Sequence, residues 1–144
     1  MLPQEHADLS AWLRTPELAL FDAMHRADKR HGLDVVSYLR AAGVEDRDIL
    51  AAGLLHDCGK GNTGPGPRIA WSLGERYGGW IVGAAAIVPG WRAALQRLRT
   101  HAETSAAALA AAGLPARAVA LVHEQDAPSD PEYGARFAAA DEAC

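Results

Sequence analysis

Alanine fills 31 of the 144 positions of this chain, whereas Val, Ile and Thr together fill only 15. Alanine has the best intrinsic helix propensity, and sheets draw on β-branched and aromatic side chains. A β-sandwich or barrel is therefore disfavoured, and the expected class is all-α. The length suits one domain over residues 1–144 and leaves no room for a second independent core.

Local signals divide the chain into seven to nine short helices. Thr15-Pro16-Glu17 reads as an N-cap, a proline at the first helical position and an acid in the first turn. That helix is expected to end near Lys29 or Arg30, and a second to open around His31 and close at Gly43. A third runs from Glu45 to about Asp57 and stops at Gly59. The Gly- and Pro-rich segment from Gly59 to Pro67 reads as a loop. It lacks the Gly-Lys-Ser/Thr ending and the preceding strand of a nucleotide-cradling loop. Further helices are expected from Pro67, from Trp91 to Leu98, from His101 to Ala112, from Pro115 to Glu124 and from Tyr133 to Ala143, with a short apolar helix or loop after Gly78-Gly79.

Charge and cysteine usage narrow the partners. Fourteen Lys and Arg against 18 Asp and Glu leave a net charge of −4, which gives no electrostatic footprint for duplex DNA or an anionic membrane. Two cysteines, Cys58 and Cys144, cannot build a disulfide framework. The first residues resemble no secretory signal. The longest uncharged stretch, Tyr77 to Trp91, is interrupted by glycines and Pro89 and is shorter than the roughly 20 residues that cross a bilayer. A cytoplasmic location is the expectation. Trp71, Trp80 and Trp91 are expected to fill gaps that alanines leave, or to line a base-stacking pocket or lipophilic groove.

Chemistry concentrates in a few polar residues. Leu54-Leu55-His56-Asp57-Cys58-Gly59-Lys60 leads two apolar residues into a His-Asp pair at a predicted helix end, where unpaired carbonyls favour a cation. A capped helix end with a hydrogen-bonded His-Asp pair is the plainer reading of that dipeptide alone. His31 precedes it, and His101, His123 and Asp141 follow.

In this order the residues resemble the HD-domain superfamily of metal-dependent phosphohydrolases. His31 is similar to the family's first histidine, His56-Asp57 with Gly59-Lys60 to its central doublet, and Asp141 to its closing aspartate. The resemblance covers about residues 16–143 and implies a compact HD-domain helical bundle. It implies His31, His56, Asp57 and Asp141 as ligands of a first metal ion. His101 and His123 resemble the regions that supply a second ion in some branches, although Val122 stands where a further histidine is common. Mixed imidazole and carboxylate ligands suit Mn, Fe, Co, Ni or Zn, one ion or two.

The implied activity is hydrolysis of a nucleotide or other small phosphate ester by a metal-activated water. Asp57 and Lys60 are then the catalytic candidates, with Lys60 and, more weakly, Arg30 touching the phosphate. A solvated loop lysine is the alternative for Lys60. Glu103 and Glu124 either orient a ligand or lie on solvated helix surface. Two other functions share these residues: a non-catalytic HD-type module that binds a nucleotide or metal, and an HD-type di-iron oxygenase. A homodimer is open, and no membrane or duplex nucleic acid is expected as a partner.

Overall fold

The computed structural model describes residues 3–61 and 63–144, and among them it contains ten α-helices and no strand. The all-α class is thus what the alanine content implies. The helices are α1 (Pro3–Ser10), α2 (Thr15–Ala23), α3 (Arg26–Ala41), α4 (Arg47–Leu55), α5 (Pro65–Tyr77), α6 (Trp80–Ala85), α7 (Trp91–Arg99), α8 (His101–Ala111), α9 (Ala116–His123) and α10 (Gly134–Ala143). A 3₁₀ turn, Cys58–Lys60, follows α4. The number exceeds seven to nine because α1, which no sequence signal marks, is helical.

Helix α4 is the centre of the fold. Asp46 caps it by accepting from the Asp48 and Ile49 amides at 2.9 and 3.3 Å. Every residue from Ile49 to Leu55 is buried, as expected of a helix apolar on all sides. A Cβ at Gly53 would lie 2.7 Å from the Leu39 side chain and 3.2 Å from Val35, so this small residue lets α3 pack closely, and α2, α8 and α9 also lie against α4. The main apolar cluster joins Phe21, Val35, Leu39, Ile49, Leu54, Leu109, Leu121 and Phe137. Helices α5, α6 and α7 contribute nothing to that cluster and pack largely on one another.

One boundary differs from expectation in a way that matters for the site. The break falls at Met24 and His25, both extended, and not at Lys29 or Arg30. His25 caps α3, its Nδ1 accepting from the Ala27 amide at 3.2 Å. His31 therefore lies in the second turn of α3, three residues after the buried Asp28 and on the same face. Helix α5 also starts earlier than expected, at Pro65, which shortens the loop after Lys60. Trp71 and Trp91 are half-buried, but Trp80 is 73% exposed and fills no gap.

Candidate metal centre

The tight crossing of α3 and α4 sets His31 beside His56. A Cβ at Gly32 would overlap the Leu54 carbonyl oxygen, so only glycine allows this approach. His56 follows the last residue of α4. Its Nδ1 donates to the Gly53 carbonyl at 2.8 Å, which orients the ring and turns Nε2 toward α3 and α10. There Nε2 meets Asp141 Oδ1 at 3.1 Å and His31 Nε2 at 3.3 Å, and His31 Nε2 lies 3.0 Å from the same Asp141 oxygen. Donor atoms from α3, the end of α4 and α10 thus converge within 4.8 Å of one another.

Asp57 sits directly beneath them. Its Oδ2 accepts from Lys60 Nζ at 2.6 Å. Its Oδ1 is buried with no hydrogen-bond partner, 3.6 Å from His56 Nε2 and 3.6 Å from His101 Nε2. The 3₁₀ turn that carries Lys60 back onto Asp57 packs flat on α8. A Cβ at Gly59 would lie 2.6 Å from His101 O and Ser105 N, and the Gly59 amide donates to Ser105 Oγ at 2.8 Å. This close contact brings His101 to the far side of Asp57.

The electrostatics favour a cation in the centre. Burial raises the Asp57 carboxyl, yet His56 and Lys60 outweigh it and hold the group below the usual carboxylate range. Burial likewise opposes ionisation of Asp141, but hydrogen bonds from His31 and His56 hold it far below that range. Burial disfavours a charged His56, and the neighbouring Asp57 and Asp141 overcome it and raise the ring above its ordinary value. A neutral His56, with its only proton on Nδ1, presents a lone pair toward Asp141. Two electron-pair donors at 3.1 Å require a proton or a metal ion between them. The donor set, imidazole nitrogens and carboxylate oxygens with one orphaned buried oxygen, fits a divalent transition metal. Cys58 is not among the converging donors, and burial pushes its thiol up to about 11.

The structure therefore brings together His31, His56, Asp57, Asp141, Lys60 and His101. It does not bring in His123 or Arg30. His123 is exposed at the end of α9 and borders a surface hollow with Leu114 and Val119. The side chain that approaches from this part of the chain is Gln125, buried, with its Nε2 2.6 Å from His101 Nε2. Because His101 Nδ1 donates to the Leu98 carbonyl at 2.6 Å, the Gln125 amide donates to Nε2 and occupies its lone pair. Gln125 lies two residues beyond α9, where helical periodicity assigns no direction, so sequence reasoning missed it. Arg30 is exposed and engaged with Asp34 and Glu5.

A second missed residue is Arg68, in the first turn of α5. Its guanidinium grips Asp28 at 2.6 and 2.8 Å and also donates to the Thr63 and Gly61 carbonyls at 3.1 Å. It ties the segment after Lys60 to the helix that carries His31. A partner 40 positions away leaves no local signal. The remaining histidine, His6, meets Asp22 at 2.9 Å, and the candidate orienting residue Glu124 accepts instead from Ser129.

Comparison with family models, with curated proteins and with solved structures returned no match for this chain.

Proposed function

We propose that this protein is a metal-dependent phosphohydrolase of the HD-domain kind, acting on a nucleotide or other small phosphate ester. The observation that carries the reading is the convergence of His31, His56 and Asp141 above a buried Asp57 oxygen with no partner. Lys60 pairs with the other oxygen of this carboxylate, and Oδ1 is costly to bury without a donor or a cation of its own.

A divalent ion held there supplies Lewis acidity toward a phosphoryl oxygen and a source of hydroxide near neutral pH. The chain's own residues do the rest. His31, His56 and Asp141 hold the ion, and the Gly53 carbonyl fixes the ligating nitrogen of His56. Asp57 Oδ1 is placed to complete the coordination or to accept a proton. Lys60 keeps Asp57 ionised and, still partly exposed, sets a positive charge beside the approach of a phosphate. The partial exposure of His31 and Asp141 leaves that side open to substrate and water.

The capping of His101 by Gln125 supports one ion per chain and speaks against the di-iron oxygenase, which needs two. The engagement of Lys60 with Asp57 favours the second reading, a binding module whose nearest cation is already paired. Incubating the purified protein with Mn or Co and a range of nucleotides and generic phosphate esters separates them. The hydrolase reading predicts phosphate release that disappears in His56→Ala. A protein that holds metal and consumes no ester in the range is the binding module instead.

A further inference from the structure

Resting on the phosphohydrolase reading, we propose that Arg97 is the substrate-binding cation of the centre and that it selects a phosphate monoester over a diester. Lys60 is spent on Asp57, so a phosphate at the centre lacks a side-chain cation of its own. Arg97, in the last turn of α7, supplies one. A Cβ at Gly61 would lie 3.8 Å from Arg97 Cδ and 3.9 Å from Nε, so the arginine stem rests in ordinary contact on the residue that follows Lys60. Gly61 has a φ of +62°, which favours glycine. Its carbonyl is held by Arg68 at 3.1 Å and by the Thr63 amide at 3.0 Å, which fixes the platform under Arg97. His101 follows four residues after Arg97, with its Nε2 3.6 Å from Asp57 Oδ1. Arg97 thus stands where two segments meet, Lys60–Gly61 and His101, both of which reach Asp57.

Placement, not the lack of a partner, singles Arg97 out. It is exposed and forms no ion pair among the described residues, but the same holds for Arg26, Arg40 and Arg136. Arg26 and Arg40 lie about 140° and about 180° round α3 from His31, and Arg136 about 140° round α10 from Asp141. Those three therefore turn away from the centre on their own helices. Charge then sets the substrate class. A divalent ion offsets Asp57 and Asp141, so Lys60 and Arg97 leave two positive charges in excess. A phosphate monoester carries up to about two negative charges near neutral pH, and a diester carries one. The monoester balances the site, and its terminal oxygens suit the two-pronged guanidinium. Without Arg97 the balance shifts to the diester.

The test is calorimetric titration of the Mn-loaded protein with inorganic phosphate and with dimethyl phosphate, which stand in for the two ester classes. Wild type is expected to prefer inorganic phosphate. Arg97→Met keeps an unbranched stem over Gly61 and is expected to bind inorganic phosphate about thirtyfold more weakly, with that preference lost and metal content unchanged. Arg97→Lys is expected to recover part of the affinity. Arg99→Met removes the same charge from the other side of α7, where Arg99 lines a hollow with Trp71, and is expected to bind like wild type. With p-nitrophenyl phosphate as substrate, Arg97→Met is expected to raise KM by roughly the same thirtyfold and to change kcat by less than about threefold. A wild type that ignores phosphate, or an affinity that Arg97→Met leaves unaltered or Arg99→Met lowers equally, overturns the assignment. A wild-type preference for dimethyl phosphate overturns the choice of monoester. Phosphate bound through Arg97 by a protein that cleaves no ester upholds the assignment and defeats the hydrolase reading alone.

Discussion

His56 Nε2 and Asp141 Oδ1 stand 3.1 Å apart, 85 residues apart in the chain, with the one proton of a neutral His56 committed to the Gly53 carbonyl. The centre is thus short of a positive charge unless a proton or a metal ion supplies it.

That deficit predicts how stability depends on pH. The raised His56 stabilises the ion-free fold fully below its unfolded value of about 6.5, and the contribution is lost as pH rises through the folded value. The depressed Asp57 and Asp141 act oppositely: their contribution is present above about 3.9 and is lost as pH falls through their folded values. A divalent ion replaces the His56 proton, so the loss at high pH vanishes when metal is bound. Thermal unfolding with and without chelator is therefore expected to show a gap in Tm that widens above about pH 6.5. A gap that stays constant from acid to alkaline pH contradicts this.

Gly32→Ala is expected to push α3 away from α4. Its Cβ meets backbone, which cannot rotate aside, so a loss of about 1–3 kcal/mol is expected in urea unfolding. Because the same crossing sets His31 against His56, metal retention is expected to fall as well. An alanine variant with wild-type stability and metal content shows that the crossing has slack.

Arg68→Met is expected to leave Asp28, buried on α3, without its partner. Fully buried pairs lose about 3–5 kcal/mol when one member is removed. Arg68 keeps 20% exposure, so about 2–3 kcal/mol is expected here. Greater proteolytic cutting between Gly61 and Pro65 is the accompanying sign, since the same guanidinium holds the Gly61 and Thr63 carbonyls.

Gln125→His is expected to raise ion uptake above that of the wild type. The wild-type amide occupies the lone pair of His101, whereas an imidazole adds a nitrogen beside His101 and the unpartnered Asp57 oxygen. Titration with Mn, followed by metal analysis after desalting, checks this. Unaltered stoichiometry means that His101 does not face an ion site.

The helical class and the residues that meet at the centre are legible in the sequence for different physical reasons. Alanine content acts through propensity, which is local, and the His-Asp doublet is a contiguous motif at a helix end. His31 is legible as a residue but not in its setting. The cap that starts α3 is a histidine rather than the usual Ser, Thr, Asp or Asn, so sequence signals place the helix boundary several residues too late. His123 and Gln125 show the opposite failure. Near a helix terminus a shift of two residues decides which side chain turns inward, and composition favours the wrong one. Arg68 and Arg97 depend on contacts made in three dimensions.

The most direct test of the metal centre is elemental analysis of protein purified without chelators, beside Asp141→Asn. One divalent transition-metal ion per chain is predicted for the wild type. In the variant, less than about a tenth of that occupancy is expected, with the helical far-UV spectrum preserved. A wild-type protein without metal, or a variant that retains it in full, contradicts the account.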